Sequence, residues 1–142
     1  IPDAAKRKAF RHHLYSHQPQ PNLFGVALTE AAYCPAGAAW VDDLVEYLEE
    51  NARVFLEGIN QIPGLQAMPM QSTYLTWVDF ANTGMEMDEV TRRVKIDARI
   101  APSIGQEFGT GGETFLRFTV GTSRCRVEEA VSRLQEACAD LQ

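Results

Sequence analysis

Behind Pro35-Ala36-Gly37, the apolar side chains Val41, Leu44, Leu48, Phe55 and Ile59 recur at spacings of three, four and seven residues. That periodicity predicts one continuous helix over about 38–60. At 1.5 Å per residue such a helix is roughly 33 Å long, more than one small domain requires, so it is expected to serve two bodies. It divides the chain into a helical segment over 1–35, a connecting helix over 36–60 and a C-terminal domain over 61–142.

On the N-terminal side, Pro2-Asp3 ahead of AAKRKAFRHHLYSH reads as a helix start, with Asp3 able to cap free amides. The two prolines of QPQPN end that helix. The Ala-rich run LFGVALTEAAY, 23–33, suits a short helix packed on a larger neighbour outside the chain. The opening Ile-Pro, without an initiator Met, reads as the tail of a strand whose body lies upstream, so a fragment is expected.

Beyond the long helix, QIPG turns the chain and LQAMPM and TYLTWVDF follow as two strands in a hairpin or near-hairpin. Met87 to Lys95 reads as a short amphipathic helix, and Ile96, Ala98 and Ile100, alternating with Asp97 and Arg99, as a strand. A glycine-rich loop leads into the strand Phe115–Val120. A last helix carries Val127, Val131, Leu134, Cys138 and Leu141 on its apolar face. The expected class is α+β: a small antiparallel or mixed sheet of three or four strands, helices on one face, and the long connecting helix.

A net charge of −6 and a pI near 5.0, with no basic cluster longer than the KRK at 6–8, argue against a nucleic-acid surface. No apolar run approaches the roughly 18 residues of a membrane helix. Three cysteines, an odd number without CxxC spacing, suggest neither a disulfide framework nor a zinc site, and a reducing cytoplasm fits them.

The chemistry-bearing candidates are few. Glycines 105, 109, 111 and 112 match neither GxGxxG nor GxxxxGK[ST] and run into a strand, which favours a hairpin connection over a phosphate cradle. His13 and His17 share a helix face with His12 nearby, but no third ligand type completes a metal set. Arg117 is more pointed. It rises from the apolar strand FLRFTV, where a guanidinium needs either an internal Asp or Glu or an anion in a water-filled cleft. Tyr74, in STYLTW, is either a core aromatic or a cleft-facing hydroxyl.

Read in order, the segments PNLFGVALTEAAY, WVDDLVEYLEENARVFLEGI, GLQAMPMQSTYLTWVDF and APSIGQEFGTGGETFLRFTVGTSRCRVEEAVSRL resemble the C-terminal part of fold-type I pyridoxal-phosphate enzymes. The resemblance covers nearly the whole chain and is to the cystathionine β-lyase-like aminotransferases of the MalY/PatB type. It implies that Arg117 grips the α-carboxylate of an amino-acid substrate and that Pro102 to Gly112 is a loop involved in closing over it. Tyr74 would lie at the cleft margin or in the core, and Asn22 near a dimer interface and the neighbouring subunit's active site. The full-length enzyme would be a homodimer, a C–S β-lyase or an aminotransferase, carrying pyridoxal 5'-phosphate. The lysine holding that cofactor as a Schiff base would lie upstream, so this stretch contains no catalytic residue and is expected neither to bind the cofactor nor to act alone. Thr119 stands where the family commonly has Asn, and Ser123 where it commonly has Pro, which leaves the role of Arg124 open. The competing reading is a stand-alone module that binds an amino acid or a protein without cofactor.

Overall fold

The structure, a computed structural model, describes residues 1–17 and 20–141. Two compact units are present, Ile1–Asp42 and Asp43–Gln142.

The first unit holds α1 (Ala4–His17), α2 (Leu23–Ala32) and the start of α3 (Pro35–Ile59). Asp3 caps α1 as expected, its Oδ1 accepting the Lys6 N–H at 2.8 Å. Asn22 does the same for α2, accepting the Gly25 N–H at 2.7 Å. Gln18 and Pro19, where the first helix was expected to end, lie outside the described residues. No side chain of α1 or α2 is buried, and Leu23, Phe24 and Leu28 stand exposed along α2.

The second unit is a four-stranded antiparallel sheet with helices against one face. Its strands are β1 (Gln66–Ala67), β2 (Leu75–Asp79), β3 (Ser103–Ile104) and β4 (Phe115–Thr119), in the order β1-β2-β4-β3. The central pair is aligned Leu75↔Thr119 through Asp79↔Phe115. Both edge strands are short. β1 stops near Pro69, which has no N–H to give a ladder, after Met68 donates to the Trp77 carbonyl at 2.8 Å. Thr76, Val78, Leu116 and Phe118 are buried, whereas Leu75, Trp77, Phe115 and Arg117 alternate with them on the other face.

On the buried face sit Ala52, Phe55 and Ile59 of α3, Val90 of α4 (Met87–Arg92), and Val127, Val131 and Leu134 of α5 (Arg124–Ala137). Phe55 and Phe118 meet with ring centroids 5.5 Å apart. Each large apolar side chain buried here contributes about 1.5–3 kcal/mol relative to exposure. The stripe on α3 is used unequally: Phe55 and Ile59 are core residues, whereas Val41 is exposed.

The expected strand over Ile96–Ile100 does not form. α4 runs on into a π-helical turn, Arg93–Asp97, with Ala98 N–H bonded to the Arg93 carbonyl at 2.8 Å. Val90, Val94 and Ala98, four apart, are the buried set, while Ile96 is 66% exposed. Helical spacing and strand alternation overlap in these residues, and burial of the helical set against α5 decides between them.

Candidate functional site

Arg117 lies on the central strand β4, on the sheet face away from the helices. Its register partners are Trp77 on β2 and Ser103 on β3. The guanidinium carbon is 4.1 Å from the ring centroid of Phe108 and 5.9 Å from that of Trp77. One terminal nitrogen, Nη2, donates to Ser103 Oγ at 3.3 Å, and the buried Nε–H has no partner among the described residues. Among the described residues no Asp or Glu pairs with Arg117. The internal ion pair left open by the sequence is therefore not what accommodates this charge.

Beside the guanidinium is a hollow of about 290 Å³ walled by Met68, Pro69, Trp77 and the 70–73 loop. A half-buried cation with an unused N–H edge and aromatic walls favours a planar anion that accepts two parallel hydrogen bonds, which a carboxylate supplies. Leaving a buried donor without a partner costs about 1–3 kcal/mol, and an anion recovers that cost only where the side chain shifts to expose Nε.

The segment 103–112 places Phe108. After β3, a 3₁₀ turn (Gly105–Phe108) carries the ring back over Arg117. Gly105 and Gly112 then pass backbone to backbone: a Cβ on Gly105 would fall on the Gly112 carbonyl and lie 2.6 Å from that of Phe115. Gly109 and Gly111 have φ of 112° and 93°, in the region that favours glycine. These glycines close the loop. On its far side a second hollow, of about 350 Å³, is lined by Met68, Trp77, Phe108, Phe115 and glycine backbone.

The other candidates make contacts of their own, Tyr74 and Arg124 in the second unit and Asn22, His13 and His17 in the first. Tyr74 is 51% exposed, lines a different hollow with Tyr47 and Leu48, and rests against Gly121, where a Cβ would come within 3.1 Å of its ring. Asn22 belongs to the first unit, where its side chain caps α2. His13 and His17 stack at 4.1 Å, and no group of three metal-binding side chains occurs among the described residues. Arg124 has a structural post. Its Nε donates to Asn51 Oδ1 at 2.9 Å and its backbone N–H to the Tyr47 hydroxyl at 2.7 Å, which pins the start of α5 to α3.

Trp77, Ser103 and Phe108 were not singled out from the sequence. Alternation along TYLTWVDF and FLRFTV would have set Trp77 beside Arg117 once the β2–β4 register was known. Nothing local marks Phe108, because its position depends on a loop fold.

No family model matches the chain. It is 32% identical to cystathionine beta-lyase PatB of Bacillus subtilis over 141 residues, which cover 96% of this chain and 36% of PatB. It is 29% identical to protein MalY of Escherichia coli, over 82% of this chain and 30% of MalY. Its fold superposes on cystalysin of Treponema denticola, a structure containing a pyridoxal 5'-phosphate cofactor, with TM-score 0.84 and 25% identity over 100% of this chain and 36% of cystalysin. The chain thus spans about a third of the length of the relatives it matches. Sequence and fold agree that it belongs to the cystathionine β-lyase-like family of fold-type I pyridoxal-phosphate enzymes and carries that family's C-terminal domain.

Proposed function

We propose that the chain is the carboxylate-binding part of a longer enzyme that uses pyridoxal 5'-phosphate to cleave the C–S bond of an α-amino acid by β-elimination. Transamination of the same substrate class is the nearest other activity. The observation that carries the reading is Arg117, a half-buried guanidinium that has, among the described residues, neither a partner for Nε nor a carboxylate. Likeness to cystathionine beta-lyase PatB favours the lyase.

The lysines of this chain do not themselves fit a pyridoxal site. Lys6 and Lys8 are exposed on α1, Lys95 is exposed on the π-helical turn, and none lines either hollow beside Arg117. When bound elsewhere in the longer polypeptide, the cofactor supplies the electron sink for charge developing at Cα. What this chain contributes is positioning. Arg117 takes the α-carboxylate along its N–H edge, Ser103 steadies Nη2, and Trp77 and Phe108 keep water from the cation. A carboxylate so fixed leaves Cα in one orientation.

The longer enzyme is further proposed to be a cytoplasmic homodimer. Residues 1–35 would pack on its large domain, with Asn22 near the partner subunit and Tyr74 at the cleft margin. No helix among the described residues is long and apolar enough to cross a membrane.

In the full-length protein, Arg117→Ala is expected to lower kcat/KM by the equivalent of about 2–5 kcal/mol, as for one partner of a desolvated charge pair. A loss below about 0.5 kcal/mol would show that the carboxylate lies elsewhere. Intact mass and visible absorbance of the native gene product test the wider reading. A much heavier, yellow protein supports it, and a colourless one of 15.8 kDa would indicate a binding module without a catalyst.

A further inference from the structure

We infer that Phe108 is a positioning residue for anion recognition, its ring fixing the guanidinium of Arg117 so that the N–H edge is presented to the substrate carboxylate. The inference rests on the reading of Arg117 given above. Among the described residues Arg117 has one polar tether, the 3.3 Å bond to Ser103, which is too long to hold a flexible side chain firmly. The aromatic contacts do more. Phe108 lies closer to the guanidinium carbon than Trp77 does, and Trp77 meets Phe108 edge to face, with centroids 5.3 Å apart and planes at 88°. Trp77 is braced in turn by Phe115 at 6.3 Å and 81°. Arg117, Phe108, Trp77 and Phe115 form one connected stack across the open sheet face.

Phe108 is 51% exposed, so burial in the core does not account for its place. The backbone supports the ring through the Gly105–Gly112 contact, which fixes where the turn begins and ends. A cation–π contact uses the face of a guanidinium, and carboxylate recognition uses its edge. Both can be made together, the ring on one face of the guanidinium and the carboxylate on its terminal N–H groups.

The test compares Phe108→Leu and Phe108→Tyr in the full-length enzyme, with L-cystathionine as the probe substrate, each alone and in an Arg117→Ala background. Loss of one partly exposed cation–π contact should raise KM about 3- to 10-fold, with kcat changed less than about twofold. Phe108→Tyr, which keeps the ring, should restore the wild-type KM. In the Arg117→Ala background Phe108→Leu should change kcat/KM no further. Equal losses in both backgrounds, a lower KM in Phe108→Leu, or failure of Phe108→Tyr to rescue would overturn the inference. An impaired Arg117→Ala with an unaffected Phe108→Leu would sink this inference alone. An unaffected Arg117→Ala would remove the reading beneath it as well. Thermal melts of the single variants check that the fold persists.

Discussion

Asn51 shows how much one side chain can hold. It is fully buried, its Nδ2 donates at 2.8 Å to the carbonyls of both Val120 and Thr122, and its Oδ1 accepts from Arg124. Asn51→Leu keeps the bulk but removes the side-chain bond to the Thr122 carbonyl and to Arg124 Nε, while the Val120 carbonyl keeps the Thr122 N–H and Arg124 keeps the Tyr47 carbonyl, so unfolding free energy should fall by about 1–3 kcal/mol in urea titrations. A loss under about 0.5 kcal/mol would mean that water replaces those bonds without cost. Arg117 differs in kind, because it lacks what Asn51 has. Its peculiarity was legible in the sequence, since a cation among Phe115, Leu116 and Phe118 conflicts with its neighbours. Its surroundings were not legible, because Trp77, Ser103 and Phe108 reach it only through strand pairing and a loop fold. The same holds for Arg124, whose partners Tyr47 and Asn51 lie more than 70 positions away.

Among the elements, the helices with unbroken periodicity were readable almost to their ends. The long helix expected over about 38–60 runs Pro35–Ile59, and the last one, Arg124–Ala137, buries Val127, Val131 and Leu134, whereas Cys138 is buried just past its end and Leu141, half-buried, lies beyond it. The stretch after Arg92 was misread because two periods fit it. Ion pairs that no periodicity reports also support its helical form, Arg92 bonding Glu89 and Asp97, and Arg93 bonding Glu89 and Asp140. The glycine-rich segment looked like a connection and proves to be a folded loop with its own strand and 3₁₀ turn. Gly105→Ala tests the close approach that closes it. The added methyl has no room at the Gly112 carbonyl, so stability should drop by about 1–3 kcal/mol and KM should rise together with it as Phe108 loses its seat. A variant with wild-type melting temperature and KM would show that the two backbones separate freely.

For the molecule as a whole, acid should weaken the cluster that joins α4 to the end of α5. Arg92 and Arg93 hold the Glu89 carboxyl down to about 2, and Arg93 holds Asp140 below its ordinary value. The unfolded chain therefore binds protons more readily than the folded one. The stability these groups contribute is present above about pH 5 and fades as pH falls through the unfolded values toward 2. The urea midpoint should decline over that range, less steeply in Glu89→Gln. Because the groups are exposed, added salt should flatten the decline too, and identical slopes in wild type and variant would relieve Glu89 of this role. One further consequence comes from the alternation along β4. Its even-numbered residues build the core and its odd-numbered ones face the open side of the sheet, so a slip of one position against β2 would exchange the two sets. Leu116 and Phe118 would turn to solvent while Arg117 was driven among Val78 and Phe55. The number of residues between Gly112 and Phe115 is thus under two constraints at once, and an insertion there would take Arg117 from the open face by the same step that unmakes the core.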